Sequence, residues 1–150
     1  MYVVSGLTHI DLEIVWGSKV PTASDKGYPP IFDKMSFWVL YHEDEVIAYT
    51  GSLRITDDIV LVGNTYIRKE HRNKGLHSFL LEKRNESRLL KDSIKVTVIN
   101  PIEDSKKENL IKVVTKLGYT KVEKLDDISP NMPEDIFEHI MSHNKEVWRC

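Results

Sequence analysis

Gly75 marks a change of hydrophobic period, and that change constrains the fold more than any other feature of the chain. Ahead of it come three runs rich in aromatic and β-branched residues, "SFWVLYH" from Ser36, "EVIAYTGSLRI" from Glu45 and "DDIVLVGNTYI" from Asp57. Such runs favour pleated, half-buried strands. The joints between them are short. "EDE" between His42 and Val46 fits a hairpin, and Thr56, Asp57 and Asp58 lead from the second run into the third. Three successive antiparallel strands are expected. Beyond Gly75 the apolar positions become Leu76, Phe79 and Leu80, extended by the aliphatic stem of Lys83, while Glu82, Arg84, Glu86 and Arg88 face outward. That spacing predicts an amphipathic helix.

The alternation returns in "SIKVTVIN", where Ile94, Val96 and Val98 share one strand face until Pro101 ends it. In "SKKENLIKVVTKLG", Ser105 and Glu108 have capping-box spacing, Leu110, Val113, Val114 and Leu117 form a buried stripe, and Gly118 stands where a helix stops. "YTKVEKL" is the last expected strand, and a further helix begins near Pro133, with Glu134 and Asp135 in its first turn. Near the N-terminus, "HIDLEIVW" alternates at Ile10, Leu12 and Ile14 and reads as a strand. The segment "GSKVPTASDKGYPPIFDK" carries three prolines and two glycines and reads as loop. The order from Ser36 onward is β-β-β-α-β-α-β.

The chain has 150 residues, enough for one domain that buries roughly 70% of its unfolded surface. A single domain over 1–150 is expected. Hydrophobic residues make up 41% and charged residues 29%, a globular balance, and no stretch approaches the ~20 apolar residues of a membrane span. "MYVVSGLTHIDLEI" lacks the features of a signal peptide, so a cytoplasmic location is the expectation. Cys150 is the single cysteine and the last residue, which reads as a free, frayed thiol. The net charge of -2 argues against broad nucleic-acid binding.

The stretch "YIRKEHRNKGLHSFLLEKR" from Tyr66 carries the chemistry. A strand that ends in a turn and runs directly into a helix presents unpaired N–H groups and the positive end of the helix dipole, which together bind anions. Arg72 and Lys74 add full charges, and Gly75 admits a phosphate where a Cβ would obstruct it. Residues Arg72, Asn73, Lys74, Gly75, Leu76 and His77 read R-N-K-G-L-H, with Ile67 five positions ahead of the arginine and "TKLGY" ending the later helix at Gly118 and Tyr119. From Ser36 to Val122 this arrangement resembles the GCN5-related N-acetyltransferase (GNAT) family, whose acyl-CoA signature is R/Q-x-x-G-x-G/A.

The resemblance implies an α/β fold of α+β type, with a mixed, mostly antiparallel central sheet flanked by helices and a V-shaped splay between the fourth and fifth strands. Those strands would be Ile59–Ile67 and Ile94–Ile99. It implies acetyl-CoA as acyl donor, no metal, an amine acceptor that it does not identify, and no membrane partner. Monomer and homodimer both remain open. The pyrophosphate would rest on the N–H groups of Arg72, Asn73, Lys74, Gly75, Leu76 and His77, and the pantetheine along Thr65, Tyr66 and Ile67. Asn64 and Tyr66 are the catalytic candidates on the strand, with His71 just beyond it.

Two residues depart from the family pattern. His77 replaces a small residue and reads as an outward side chain or, when protonated, as a further phosphate donor. Val114 stands four residues before Gly118, where many members have a tyrosine that protonates the departing thiolate. Asp25, Tyr28 and Asp33 correspond by order to the family's substrate-covering segment. His139 and His143 share a helix face without a third metal ligand, and Trp16, Trp38 and Trp148 read as core or interface aromatics. The resemblance implies an N-acyltransferase. Val114 keeps open a catalytically silent acyl-CoA-binding module. The run Arg68, Lys69, Arg72, Lys74 is the only support for a nucleic-acid acceptor, and CoA phosphates already account for it.

Overall fold

A computed structural model describes residues 1–21, 34–99, 104–141 and 145–150, with side chains from Lys106 onward in the third helix. The elements are β1 (Tyr2–Leu7), α1 (His9–Trp16), β2 (Ser36–His42), β3 (Glu45–Arg54), β4 (Ile59–Ile67), α2 (Leu76–Glu86), β5 (Ile94–Ile99), α3 (Asp104–Lys116), β6 (Thr120–Val122), α4 (Glu134–Met141) and β7 (Glu146–Arg149). The hydrogen-bonded strand order is β1-β2-β3-β4-β5-β7-β6. The β4–β5 ladder is parallel and runs from Ile59↔Ile94 to Val62↔Thr97, while the β1–β2, β2–β3, β5–β7 and β6–β7 ladders are antiparallel. A parallel pair needs a crossover, which α2 supplies. The fold is the expected mixed, mostly antiparallel α/β arrangement.

By internal contacts the chain divides into two compact units, Met1–Arg54 with Gly63–Ser87, and Ile55–Val62 with Arg88–Cys150. In the first unit, β2 and β3 form the anticipated hairpin. Its two loop residues, Glu43 and Asp44, adopt φ of 50° and 64°, the left-handed pair that matches the twist of a two-residue hairpin. The core gathers Leu7, Leu12, Trp16, Phe37, Val39, Val46 and Tyr49. Gly51 pairs with Phe37 across the ladder, and a Cβ there would lie 2.8 Å from the Phe37 ring and 2.9 Å from Met35 Cε.

The segment "HIDLEIVW" is a helix, contrary to the strand expected from its alternation. Capping decides the matter. Thr8 Oγ1 accepts from Asp11 N at 3.1 Å, Asp11 Oδ2 accepts from Thr8 N at 3.2 Å, and Gly17 N donates to Glu13 O at 3.0 Å. The buried pair is Leu12 and Trp16, one turn apart, whereas Ile10 and Ile14 are 60% and 71% exposed. Strand β1 precedes it, in the segment whose pattern gave no reading.

In the second unit, Ile94, Val96 and Val98 of β5 face a core with Ile59, Val122, Ile128, Ile140 and Val147. Ile99 joins Val114 and Tyr119 in a second cluster with Leu110, Ile111, Leu117 and Trp148, so three residues of the expected α3 stripe face it, with Ile111 in the cluster and Val113 outside it. Helix α3 begins at Asp104, and the side chain of Ser105 lies outside the described residues. Only Thr120–Val122 of "YTKVEKL" form a strand, because Asp127 turns the chain by accepting from Glu123 N and Lys124 N. The last strand is instead β7. Cys150 corrects the frayed-thiol reading: its N–H and C=O pair with Lys95 at 2.9 and 3.0 Å, and its Sγ donates to Leu117 O at 3.6 Å. The thiol is free but held.

Among the described residues no helix is long and apolar enough to cross a membrane. The Gly51 contact yields a prediction for the scaffold. Gly51→Ala forces a methyl onto the fully buried Phe37 ring and is expected to cost about 1–3 kcal/mol, read as a lower urea midpoint with unchanged far-ultraviolet dichroism. An unchanged midpoint would show that Phe37 can retreat.

Candidate functional site

Every residue of the expected site from Asn64 to His77 lies in the first unit, along the second half of β4, the turn after it and the start of α2. Within strand β4, Asn64 takes a left-handed φ of 53° and its Nδ2 donates to Met35 Sδ at 3.4 Å. Asparagine tolerates this conformation better than most residues. Tyr66 sits in an aromatic group: its ring centroid is 5.9 Å from Trp16 and 6.2 Å from Tyr49. It packs against the core and remains half-buried.

The strand ends through Arg68. Its N–H donates to Ile47 O at 2.8 Å, its Nε to Val46 O at 2.8 Å and its Nη2 to Trp16 O at 3.2 Å, with the guanidinium 3.8 Å from the Trp16 ring centroid. This arginine is committed to joining α1 to β3 and β4, which removes it from the basic run read at the surface. A 3-10 turn at Lys69–His71 follows, with His71 5.9 Å from the ring of His42. Arg72 is exposed and folds back, donating from Nε to Ile67 O at 2.9 Å with its guanidinium 5.1 Å from the Tyr66 ring.

Asn73 and Gly75 then take φ of 63° and 74°. Gly75 is the N-cap of α2, with no side-chain cap, and the first helical hydrogen bond runs from Phe79 N to Gly75 O at 3.2 Å. The amides of Leu76, His77 and Ser78 therefore precede the helical ladder. Among the described residues, its chain neighbours and its own helix turn aside, a Cβ on Gly75 would meet nothing within 4 Å. The left-handed backbone favours glycine here, and its missing side chain leaves open space at a helix start with no side-chain cap. Lys74 is exposed beside them.

Two expectations about α2 are corrected. Arg84, read as outward, is 2% exposed: Leu76, Leu80 and Arg84 fall at four-residue intervals on the buried face, and the guanidinium Nη1 donates to Thr50 Oγ1 at 2.8 Å. Thr50 Oγ1 lies 2.7 Å from Thr65 Oγ1. The four-residue interval was the signal in the sequence, overlooked because arginine is so seldom buried. His77 is half-buried where an outward side chain was expected. Desolvation first, and then the positive charge of Arg84, hold its pKa below the ordinary imidazole value. A neutral ring is therefore the form at neutral pH, against the reading of a protonated phosphate donor.

Asp25, Tyr28, Asp33 and His143 lie outside the described residues. Among the described residues no group of three or more His, Cys, Asp or Glu is gathered for a metal. Val114 is buried in its own cluster with Ile99 and Tyr119.

These features define a class of fold before any relative is considered: a mixed sheet with a parallel β4–β5 pair and a glycine-started helix after β4. Solved structures of GNAT acetyltransferases have a similar fold. A GNAT acetyltransferase from Elizabethkingia anophelis, with acetyl-CoA bound, superposes with a TM-score of 0.64 at 10% identity, over 99% of this chain and 95% of that one. A putative GNAT acetyltransferase from Bacteroides thetaiotaomicron gives 0.63 at 15% identity, over 99% and 86%. The diaminobutyrate acetyltransferase of Paenibacillus lautus, solved with its substrate and coenzyme A, gives 0.60 at 13% identity, over 99% and 93%. The chain has the GNAT fold. Neither a family model nor a curated protein matches its sequence.

The half-buried His77 has a consequence for stability. Because the folded state binds this proton less readily than the unfolded chain, its contribution is complete above the unfolded pKa of about 6.5 and is lost as pH falls below that value toward the depressed folded one. Wild type should lose more stability than His77→Gln between pH 7.5 and 5.5 in paired urea titrations. Parallel losses in the two proteins would place the proton uptake elsewhere.

Proposed function

We propose that this chain is a divergent GNAT acyltransferase that transfers an acyl group, most simply acetyl, from acyl-CoA to an amine of a small molecule or protein. The observation that carries the reading is the start of α2, where a left-handed glycine faces open space ahead of uncapped amides, in a fold shared with acetyl-CoA-bound enzymes. In this reading the amides of Arg72 through His77 hold the pyrophosphate, Lys74 adds charge beside it, and Thr65, Tyr66 and Ile67 pair with the pantetheine. Arg72 braces the turn on Ile67 O while its charge stays at the surface.

Transfer is a direct displacement. The amine nitrogen attacks the thioester carbon, the C–N bond forms, the C–S bond breaks, and the electron pair leaves on sulfur. The ammonium must first lose a proton, and the reaction gains most from holding nitrogen and carbon about 3–3.5 Å apart. Asn64 and Tyr66 stand on the strand proposed to hold the thioester. Tyr66→Phe preserves the packing on Trp16 and Tyr49, so it separates a hydroxyl role from a packing role.

The reading is tested by calorimetric titration with acetyl-CoA, followed by a thiol-release assay across an amine panel. Saturable binding with release of one thiol per acetylated amine is expected, and no binding at high micromolar acetyl-CoA would overturn it. Gly75→Asn retains a residue that tolerates the left-handed backbone but fills the space before the amides, so acetyl-CoA affinity should fall tenfold or more while the melting temperature moves little. The catalytically silent alternative keeps its footing in Val114. Binding without turnover across the panel would favour it.

A further inference from the structure

The buried hydroxyl pair beneath α2 has a defined polarity. Thr50 is fully buried, and its Oγ1 has two side-chain neighbours, Arg84 Nη1 at 2.8 Å and Thr65 Oγ1 at 2.7 Å. A guanidinium can only donate, so Thr50 accepts from Arg84. The hydroxyl proton of Thr50 then has one acceptor, Thr65 Oγ1. The reverse orientation, with Thr65 donating, would leave the Thr50 proton buried and unpaired, which is the costly arrangement. Thr65 therefore accepts, and its own proton points away from Thr50. Thr65 is half-buried, and among the described residues its side chain forms no other hydrogen bond.

We infer that Thr65 is a ligand-binding residue whose hydroxyl donates to a carbonyl oxygen of the acyl-pantetheine arm, with Arg84 and Thr50 as positioning residues that fix its donor direction. The inference rests on the acyl-CoA reading and adds a side chain to a strand proposed until now to act through its backbone. The chain of donors begins at a full positive charge, and each bond in it polarises the next. A fixed donor is also a selective one, since it recognises an oxygen acceptor and offers nothing to a cation or an alkyl group. The carbonyl belongs either to the thioester or to a pantetheine amide, and the two are separable because CoA lacks the former.

The experiment is calorimetric titration of wild type, Thr65→Val, Thr65→Ser and Thr50→Val with acetyl-CoA, CoA and adenosine 3′,5′-bisphosphate. Thr65→Val keeps the side-chain shape and removes the hydroxyl, so acetyl-CoA should bind about threefold to tenfold more weakly, the loss of one neutral hydrogen bond. Thr65→Ser should restore affinity, and Thr50→Val should show a smaller loss of the same sign. Unchanged affinity for the bisphosphate, which lacks the arm, confirms that the variants are folded and that the effect is local to the arm. Loss with acetyl-CoA alone assigns the thioester carbonyl, and equal loss with CoA assigns an amide; both support the inference. Wild-type affinity in Thr65→Val, or an equal loss toward the bisphosphate, overturns it while leaving the acyl-CoA reading intact. Absence of wild-type binding to acetyl-CoA overturns both.

Discussion

A guanidinium buried beneath a helix must be satisfied by its surroundings, and Arg84 imposes that requirement on the first unit. At 2% exposure it cannot rely on water, and an unpaired buried charge costs several kcal/mol. Thr50 on β3 supplies an acceptor and Thr65 on β4 backs it, so one side chain ties α2 to both strands. The tie fixes the helix against the strand from which its leading turn departs. Arg68, three residues beyond Thr65 at the same end of β4, adds a second anchor, donating to carbonyls of β3 and α1 and stacking on Trp16. Thr65, Tyr66 and Ile67, proposed to hold the pantetheine, are thus the residues of β4 that lead into this anchored end.

How much of this was legible depended on whether a residue's neighbours in sequence were also its neighbours in space. The hairpin, the strand-to-helix change at Gly75, the face of β5 and most of the stripe of α3 agree with the sequence pattern, because a local period and a local break define each. Helix α1 was misread because Ile10, Leu12 and Ile14 alternate, while the Thr8–Asp11 capping box that decides the conformation was given no weight. Strand β7 and the pinning of Cys150 could not be read locally. Both exist only because β5 and β6 leave a gap between them that the chain's last residues fill. At the site, the motif pointed to a glycine without a Cβ at position 75, and its left-handed backbone is an addition from the structure. The burial of Arg84 was legible in its four-residue interval with Leu76 and Leu80, but its partner Thr50 on β3 lies 34 residues away and no window of sequence contains it.

The proposed transfer carries two proton costs, and they are unequal. A thiol with an ordinary pKa of about 8.5 leaves as thiolate at pH 7 at a cost of about 2 kcal/mol relative to the neutral thiol, whereas freeing an amine of pKa about 10.4 costs between 4 and 5, or about 4.6 kcal/mol. The proton on the acceptor is therefore the larger obstacle, and a base or a water path contributes more than an acid. The acid that the family resemblance assigns to the position of Val114 would supply the smaller contribution. The Val114 side chain is moreover part of a packed cluster with Ile99 and Tyr119, where a valine fills space that a hydroxyl would have to enter. An enzyme of this fold can lose the acid at modest cost if the amine is well placed and the donors that receive the carbonyl are fixed. A donor set by Arg84 through Thr50 and Thr65 would be fixed in that sense, since rotating it would leave the Thr50 proton buried without an acceptor.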